Sequence, residues 1–455
     1  MGKYFGTDGF RGRVNVDLSS MHAYRVGRFL GTYFTKMKKN TGQTRARIVI
    51  GKDTRLSSYM LEYSVAAGIA ASGADACLLH VTTTPSVAYV TKTENFDCGI
   101  MISASHNPFT DNGIKLINRF GEKMEESVIS QIEEYLDLAS EEKETYAVDE
   151  EIGRITDLVR GRNRYMGYLI SLGKYSFKGI KIALDCANGS GYFIAPSVFS
   201  AMGAKIFVIN DCPNGTNINK ECGSTHIEGL ARYVKENNLD VGFAYDGDGD
   251  RCLCVDENGN VLTGDHILYL CALHLKKQGQ LEENKIVSTV MSNMGLDISL
   301  AAHGISVEKT DVGDKFVYEQ MEAGGAVLGG EQSGHIIFSK YATTGDGILT
   351  SLMIMEAMIS SDKKLGELCS DFKFLPQYTV NLKVRDKRAA VSDREITDLV
   401  QKCCRELLGL GRVILRASGT EPVIRVMTEA DTEEKCRSYC QRVADAIKAK
   451  GYLDK

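Results

Sequence analysis

Short apolar runs alternate with segments of helical periodicity along most of the chain. Residues 47–50 and 76–79 are apolar runs of strand length, and residues 59–71 between them have helical spacing. In an earlier segment, apolar side chains recur at Val26 and Leu30, one helical turn apart. This β-α-β order predicts parallel strands that are covered by helices on both faces.

The same order recurs twice more along the chain. After an acidic stretch at residues 141–151, strands are predicted at residues 181–184 and 204–208, with a helix ending at Met202 between them. A third block begins with the apolar run at residues 286–290. Three blocks of this kind predict three related α/β domains.

The last part of the chain has a different pattern. Residues 379–384 alternate apolar and polar side chains, which predicts a half-exposed strand. Ser392 and Glu395 have the spacing of a capping box and predict the start of a helix that runs to Leu408. Two further strands and a last helix are predicted at residues 413–415, 423–426 and 432–448. The order β-α-β-β-α predicts a separate α+β domain.

Composition narrows the class of protein. The 455 residues are 43% hydrophobic and 25% charged, which fits a globular protein and excludes a disordered one. No apolar run approaches the ~18 residues of a membrane span, so no membrane association is expected. The net charge of −5 argues against a broad basic surface for nucleic acid. The 13 cysteines form no C-x-x-C pair and no export signal is recognised, so we expect reduced thiols and a cytoplasmic location.

A serine loop follows the apolar run at residues 99–102. Ser105 and His106 precede an Asn-Pro pair in this loop, and the chain then returns to Lys115. Loops at the carboxyl ends of buried strands are where α/β folds place active sites. A serine hydroxyl is a weak nucleophile, so it needs a base or a transferable group that it already carries. Taken alone, the pattern favours a simple turn.

An aspartate loop follows another apolar run. Asp246, Asp248 and Asp250 alternate over five residues, and their mutual repulsion is relieved by a hard dication with oxygen ligands. The alternative is a calcium EF-hand loop, with Glu257 at its twelfth position. That alternative fails because Arg251 stands where the loop requires glycine and because a strand leads into it. Mg²⁺ is the preferred metal, since it pairs carboxylates with phosphate oxygens.

Two more loops carry groups that suit a phosphosugar. Residues 329–335 are glycine-rich and present Glu331 and Ser333, an acceptor and a donor that match adjacent sugar hydroxyls. Residues 416–422 combine hydroxyls and backbone N–H donors between Arg416 and Arg425, the composition of a phosphate cradle. Each loop alone is equally compatible with an ordinary turn. Together, the four loops describe phosphoryl transfer on a phosphosugar.

These motifs resemble those of the α-D-phosphohexomutase superfamily, and the likeness extends from residues 5–12 to Arg425. Within the superfamily, residues 217–226, 330–338 and 343–349 are most similar to the bacterial phosphoglucosamine mutases. The resemblance implies interconversion of glucosamine 6-phosphate and glucosamine 1-phosphate through a phosphoserine enzyme and a bisphosphate intermediate. The product would feed UDP-N-acetylglucosamine and cell-wall synthesis.

The resemblance also implies a fold: three related α/β domains with mixed sheets plus a C-terminal α+β domain, arranged around a central cleft. The implied domains carry, in order, the phosphoserine, metal-binding, sugar-binding and phosphate-binding loops, and span residues 1–152, 153–257, 258–372 and 373–455. One Mg²⁺ per chain, phosphate carried on Ser105 and a hexose bisphosphate as activator are implied as well. The implied partner is a small phosphosugar, and the implied oligomeric state is a monomer or a homodimer.

Individual residues acquire roles from the same resemblance. The implied metal ligands are Ser105, Asp246, Asp248 and Asp250. The implied catalytic residues are Ser105, Lys115, His106, Arg11 and His335. Lys115 is similar to the proposed general acid/base, with His335 or His106 as another candidate. The implied substrate contacts are Arg251, Glu331, Ser333, Arg416, Ser418, Gly419, Thr420 and Arg425.

The chain departs from the superfamily at Lys52 and Lys315, where arginine is common, and at Ala417, where proline is common. A lysine keeps the charge but cannot make the bidentate contact of arginine. Two alternatives stay open at this point. One is a phosphomannomutase or phosphoglucomutase that acts on a neutral hexose phosphate, and the other is a sugar-phosphate-binding protein that no longer transfers phosphate.

Overall fold

A computed structural model describes residues 2–40, 45–138, 146–417 and 423–454. The chain forms two compact units, one of residues 1–291 and 307–370 and the other of residues 292–306 and 371–455. Within the described ranges, no helix has the length and apolar character that a membrane crossing requires.

Seven strands form the first sheet: β1 (Phe5–Gly6), β2 (Gly9–Arg13), β3 (Arg47–Lys52), β4 (Asp75–Val81), β5 (Cys98–Ile102), β6 (Asp111–Asn118) and β7 (Ile155–Asp157). Their spatial order is β1-β2-β6-β5-β3-β4-β7. The pairs β3–β4, β3–β5 and β4–β7 are parallel, and the remaining pairs are antiparallel. The helices of this block are α1 (Ser20–Asn40), α2 (Leu56–Ala71), α3 (Thr84–Thr93), α4 (Glu126–Asp137) and α5 (Val159–Leu172).

Both faces of this sheet are covered by apolar clusters. Ile48 and Ile50 of β3 belong to one cluster, while Val49 between them belongs to the other. Successive side chains of a strand point to opposite faces, so an unbroken apolar run is what a doubly covered strand requires. The predicted α/β architecture is confirmed here. β7 lies beyond residue 152 and still pairs with β4, and the exact domain limits stay a prediction.

The second sheet contains β8 (Lys181–Asp185), β9 (Lys205–Ile209), β10 (Val241–Tyr245), β11 (Cys252–Val255) and β12 (Val261–Leu262). Their order is β12-β11-β10-β8-β9, with β8 parallel to both β9 and β10. The associated helices are α6 (Ile194–Ala201), α7 (Glu228–Glu236) and α8 (Gly264–Lys277).

The third sheet contains β13 (Lys285–Thr289), β14 (Ser306–Thr310), β15 (Leu328–Gly330) and β16 (Ile336–Phe338), in the order β14-β13-β15-β16. The helices along this stretch are α9 (Met294–Ala301), α10 (Asp314–Gly324), α11 (Gly347–Ser361) and α12 (Leu365–Leu368). The antiparallel pair β15–β16 makes the sheet mixed, as predicted.

The C-terminal sheet contains β17 (Gln377–Lys383), β18 (Arg412–Ala417) and β19 (Val423–Glu429), all antiparallel, with β19 in the centre. Its helices are α13 (Lys387–Ser392), α14 (Arg394–Glu406) and α15 (Glu433–Ala449). This is the predicted α+β domain. The predicted capping box at Ser392 is wrong, because the Asp393 carboxylate accepts the N–H groups of Glu395 and Ile396. Ser392 instead ends the short helix α13.

Candidate active site

The serine loop connects β5 to β6. Ser105 is fully buried and has a φ of 51°, a left-handed backbone that residues other than glycine adopt only where their surroundings hold them. Its Oγ donates to Asp246 Oδ2 at 2.5 Å and lies 3.4 Å from His106 Nδ1. The structure thus places the predicted nucleophile directly against the predicted metal loop.

The aspartate loop follows β10 and leads into β11. One oxygen each of Asp246, Asp248 and Asp250 lies within 4.8 Å of the others, and all three residues are buried. Burial, and then the charges of Asp250 and Asp248, raise the pKa of Asp246 well above its ordinary value. Three carboxyl groups so close in a buried site repel one another unless cations lie among them.

The carboxylate oxygens of the aspartate loop suit a divalent cation. Asp248 Oδ1 and Asp250 Oδ1 are buried and have no hydrogen-bond partner among the described residues. Buried carboxylate oxygens are costly to leave without a partner. Mg²⁺ and Ca²⁺ are bound by such oxygens, and Mg²⁺ commonly takes one or two carboxylates together with a phosphate oxygen. The donor set therefore fits the predicted metal.

Lys115 of β6 lies against the aspartates. Its Nζ is 2.7 Å from Asp248 Oδ2, 3.2 Å from Asp250 Oδ2 and 3.3 Å from Asp8 Oδ2. Burial opposes the charge on Lys115, but these carboxylates together raise its pKa well above the ordinary value. In this arrangement Lys115 is an ammonium ion and a proton donor.

The two predicted histidines have different surroundings. Burial, together with the charges of Arg251 and Arg11, lowers the pKa of His106 to about 4, so its ring is neutral at pH 7 and can accept a proton. His335 lies 3.7 Å from Asp250 through Nδ1, and its Nε2 accepts the Gly345 N–H at 3.0 Å.

The protonation state of His335 is subject to opposing influences. Burial opposes a charge on the ring, whereas the nearby carboxylates of Asp250 and Asp314 favour the charge and raise the pKa of His335. A second proton on Nε2 would break the bond from Gly345, because a protonated nitrogen cannot accept. The Gly345 contact is within hydrogen-bond distance whereas the Asp250 contact is longer, so we assign the neutral ring with its proton on Nδ1.

Arginines complete the basic part of the site. Arg11 of β2 forms an ion pair with Asp8, which in turn contacts Lys115. The Arg251 N–H donates to Asp246 Oδ1 at 3.2 Å, and its Nε lies 3.9 Å from Asp250 Oδ1. Burial disfavours the Arg251 charge, but Asp250 and Asp246 raise its pKa further above the ordinary value, so the guanidinium stays charged.

The predicted sugar loop connects β15 to β16. Glu331 Oε1 accepts the Gly313 N–H at 3.1 Å. Ser333 Oγ is buried and has no hydrogen-bond partner within the described part of the chain. Gly334 has a φ of 91°, and a side chain there would meet the Cys252 carbonyl at 2.3 Å, so the loop packs tightly on β11. A buried hydroxyl without a partner among the described residues, two positions from a carboxylate, suits a sugar ligand.

A cavity of about 330 Å³ adjoins part of the site. Lys115, Asp250 and His335 form part of its wall, and two further acidic residues, Asp8 and Asp314, also line it. The volume falls in the ordinary range of small-molecule sites, about 300–1,000 Å³. Three of the predicted site residues, Lys115, Asp250 and His335, therefore line a space in which a ligand can be held.

The predicted phosphate grip belongs to the other compact unit. Arg416 of β18 and Arg425 of β19 lie directly opposite each other in the antiparallel register. This pairing brings two guanidinium-bearing residues to one end of the hairpin. Ser418, Gly419 and Thr420 lie outside the described residues.

Several residues of the site were not predicted from the sequence. Thr84 Oγ1 donates to Asp248 Oδ2 at 2.6 Å, and Asp8 contacts Lys115. The buried pair Asp53–Arg55 and Asn219 hold the serine loop, as described below. Asp53 and Arg55 directly follow β3, so the rule that active sites follow parallel strands could have indicated them. Asp8 and Asn219 carry no such signal.

The two lysines that depart from the superfamily form ion pairs of their own. Lys52 is fully buried, pairs with the equally buried Glu62, and lies 3.8 Å from the centre of the Tyr59 ring. Lys315 Nζ contacts Glu126 Oε1 at 2.5 Å. Both side chains are thus held by contacts within the protein.

Comparison with known families covers nearly the whole chain. Four successive matches are described as Phosphoglucomutase/phosphomannomutase domains. The α/β/α domains I, II and III match residues 2–143, 163–259 and 263–374, and the C-terminal domain matches residues 380–446.

Curated relatives match over their full length. The phosphoglucosamine mutase of Lachnospira eligens is 59% identical, covering 99% of this chain and 100% of the relative. That of Lachnoclostridium phytofermentans is 54% identical over 100% of both chains, and that of Bacillus cytotoxicus is 46% identical over 99% of both.

Solved structures share the fold at lower identity. A phosphoglucomutase/phosphomannomutase family protein from Burkholderia thailandensis has a TM-score of 0.79 at 20% identity, covering 98% of both chains. The Aspergillus fumigatus N-acetylphosphoglucosamine mutase, solved in complex with GlcNAc-6P and magnesium, has a TM-score of 0.71 at 20% identity, covering 99% of this chain and 96% of that one. On the curated relatives and the four matched domains, the chain belongs to the phosphoglucosamine mutase family, within the phosphoglucomutase/phosphomannomutase superfamily.

Proposed function

We propose that this enzyme interconverts glucosamine 6-phosphate and glucosamine 1-phosphate through a phosphoserine at Ser105. The observation that carries the proposal is the contact of Ser105 Oγ with Asp246 Oδ2 at 2.5 Å, inside a buried group of three carboxyl side chains. Relatives at 46–59% identity that are named phosphoglucosamine mutases support the choice of sugar. The resulting role in supplying UDP-N-acetylglucosamine stays a prediction.

The proposed reaction consists of two phosphoryl transfers. In the first, the bond between Ser105 Oγ and phosphorus breaks, and a bond forms to the free hydroxyl oxygen of the hexosamine phosphate, which gives a 1,6-bisphosphate. In the second, the other phosphoryl group of the bisphosphate moves to Ser105 Oγ. The enzyme recovers its phosphoserine and releases the isomeric monophosphate, so phosphate is conserved over the cycle. A hexose bisphosphate would act as activator by loading Ser105 through the second transfer.

Asp246, Asp248 and Asp250 are the residues that would hold Mg²⁺, with a phosphoserine oxygen beside them. Bound there, the ion would offset the negative charge that spreads over the transferring phosphoryl group. Arg251, whose charge is maintained by Asp250 and Asp246, would contribute in the same sense. The carboxylates also orient the nucleophile, since Asp246 accepts the Ser105 hydroxyl.

Proton transfer requires an acid and a base near the serine. Lys115 is kept protonated by the carboxylates around it and would give a proton to Ser105 Oγ as that oxygen departs in the first transfer. The incoming sugar hydroxyl would give its proton to His106, and the second transfer would return both protons. His106 is neutral and 3.4 Å from Ser105 Oγ, so it can accept one. His335, assigned as a neutral ring with its Nδ1 proton facing Asp250, would hold that carboxylate in place. Arg11 would hold Asp8 beside Lys115.

Substrate contacts are proposed from the remaining loops. The Ser333 hydroxyl, which lacks a partner among the described residues, and the Glu331 carboxylate would bind the sugar. The non-reacting phosphate would be bound by Arg416, Ser418, Gly419, Thr420 and Arg425. The substrate is therefore a small phosphosugar, and a cytoplasmic location and a monomeric or homodimeric state stay predictions.

Action on a neutral hexose is less well supported. The chemistry at Ser105 would be the same, but the full-length relatives above are named for the amino sugar. A protein that only binds sugar phosphates would not need the buried contact between Ser105 and Asp246.

The direct test follows phosphate on Ser105. Purified enzyme is loaded with a ³²P-labelled hexose bisphosphate, and the labelled peptide is identified by mass spectrometry. Addition of glucosamine 6-phosphate and Mg²⁺ should move the label from the peptide that contains Ser105 to the sugar. A label that is stable to substrate, or that resides on another peptide, would contradict the proposal.

A further inference from the structure

Two side chains share the same two carbonyl oxygens of the serine loop. Arg55 Nη2 donates to the carbonyls of Ser105 and Asn107 at 3.1 and 2.6 Å. Asn219 Nδ2 donates to the same two carbonyls at 2.8 and 3.2 Å. The carbonyl oxygens of Ser105 and Asn107, the residues before and after His106, thus each accept two hydrogen bonds from two separate parts of the chain.

Arg55 is itself fixed within the first block. Its side chain is fully buried and pairs with the fully buried Asp53. Asp53 Oδ2 also accepts the Ser103 hydroxyl at 2.7 Å, and the Ser103 oxygen accepts the Ser105 N–H at 2.9 Å. A continuous chain of hydrogen bonds therefore runs from Arg55 to both backbone groups of Ser105.

Asn219 is held just as firmly in the second block. It is 7% exposed with a φ of 58°, and its N–H donates to the Ala187 carbonyl at 2.9 Å. A side chain on Gly247 would meet the Ser105 carbonyl at 2.5 Å and Asn219 Nδ2 at 2.9 Å. The serine loop, the aspartate loop and Asn219 therefore meet at one carbonyl oxygen.

This arrangement explains how Ser105 keeps its backbone conformation. A serine with a φ of 51° persists only where neighbouring contacts determine it. With that backbone fixed, Oγ faces Asp246 Oδ2. If the carbonyl contacts were lost, the loop could relax and the oxygen would leave its position beside the metal-binding carboxylates.

We propose that Asn219 and Arg55 are positioning residues that hold the Ser105 loop for phosphoryl transfer. The inference rests on the proposed role of Ser105. Asn219 lies within residues 217–226, whose resemblance to the phosphoglucosamine mutases pointed to the amino sugar. The inference gives Asn219 a different role. Asn219 uses its amide on the serine loop, so it should affect the transfer rate and leave the preference among sugars unchanged.

The test compares Asn219→Ala with Asn214→Ala. Asn214 is exposed and its side-chain oxygen accepts bonds from Thr216 within its own loop, so its replacement is a matched control. Each variant is loaded with labelled phosphate, and the single-turnover rate of transfer to glucosamine 6-phosphate is measured per phosphorylated Ser105. Counting only phosphorylated sites removes any effect of a misfolded fraction.

We expect Asn219→Ala to lower the transfer rate and kcat at least about tenfold, since small misplacements of a reacting group have effects of this size. KM, and the ratio of kcat/KM for glucosamine 1-phosphate to that for glucose 1-phosphate, should stay near the wild-type values. The Asn214→Ala enzyme should behave like the wild type. An unchanged transfer rate in Asn219→Ala would overturn the inference, and so would a change confined to KM or to the sugar ratio.

A second variant covers the case in which Asn219→Ala does not fold. Asn219→Asp keeps the shape but replaces the donor by an oxygen that repels the two carbonyls, so it should slow transfer at least as much. A wild-type rate in Asn219→Asp would overturn the inference and leave the proposed function intact. Absence of transfer in the wild-type enzyme would instead contradict the proposed function.

Discussion

Ser105 and Asp246 are 141 positions apart in the chain, yet the serine hydroxyl donates to the aspartate carboxylate at 2.5 Å. The contact joins the loop after β5 to the loop after β10. Both loops follow the carboxyl end of a strand that has a parallel neighbour, which is where α/β folds place their functional groups. The proposed chemistry depends on this meeting of a nucleophile with a group of carboxylates.

Replacement of Ser105 by alanine should abolish turnover. The change removes the oxygen that carries the phosphoryl group, so kcat should fall by more than about 1,000-fold. Stability should change little, because the loop is held through its carbonyls by Arg55 and Asn219. Steady-state kinetics and a urea titration measure the two effects, and Ser130→Ala on the exposed face of α4 is the control. Substantial activity in the Ser105 variant would exclude the phosphoserine mechanism.

Asp248→Asn should weaken Mg²⁺ binding, so that activity requires a higher Mg²⁺ concentration. The substitution removes one anionic ligand, and changes even to residues behind metal ligands commonly cost about 10–100-fold in affinity. We therefore expect the half-saturating Mg²⁺ concentration to rise at least about tenfold. Asp362→Asn, at the exposed end of α11, is the control. An unchanged Mg²⁺ titration for Asp248→Asn would contradict the proposal that the aspartates bind the metal.

Lys115→Gln should lower kcat by about 100-fold or more, the usual contribution of a positioned acid or base. The variant keeps a polar side chain but cannot release a proton. Lys123, which pairs with Asp314 at 2.7 Å in the same cavity, offers a matched Lys→Gln control. If kcat falls by the same small factor in both variants, the effect is one of local charge, and Lys115 has no special part in proton transfer.

His266 predicts a pH dependence of stability. Burial lowers the pKa of His266 to about 4, and its Nδ1 accepts the Thr263 N–H at the start of α8. The unfolded chain therefore binds more protons below pH 6.5, so this contribution to stability is present above that pH and is lost as the pH falls toward 4. Between pH 7.5 and 5 the loss should be about 2 kcal/mol.

The variant that isolates this effect is His266→Gln. Glutamine can still accept the Thr263 N–H, as in an ordinary capping box, but it does not titrate. Urea unfolding at pH 7.5 and 5 should show a smaller loss of stability on acidification than for the wild type. Equal losses in the two proteins would mean that the buried ring is not responsible.

Much of this organisation could be predicted from the sequence, because apolar runs and strand ends are local signals. The fully apolar residues 48–50 of β3 require two covered faces, and the loops after β5 and β10 were recognisable as site loops. Local signals also mislead: Ser392 and Asp393 are adjacent candidates for the same cap, and the carboxylate makes the bonds.

Other features depend on contacts between distant residues. Asn219 acts through carbonyl groups of a loop 112 and 114 positions away, and no spacing rule connects them. The charge states of Lys115 and His106 likewise depend on the surroundings that the fold gives each side chain. Carboxylates keep Lys115 charged, whereas burial and then two arginines keep His106 neutral. A motif alone cannot distinguish a protonated donor from a neutral acceptor.

The substrate proposed for this enzyme is an amino sugar phosphate. This proposal is tested most directly by kcat/KM with Mg²⁺ and a priming hexose bisphosphate, measured for glucosamine 1-phosphate, mannose 1-phosphate and glucose 1-phosphate. We predict a preference for glucosamine 1-phosphate of ~100-fold, which corresponds to ~2.7 kcal/mol of differential transition-state binding. A comparable preference for either neutral sugar would contradict the proposed function while leaving the phosphoserine chemistry in place.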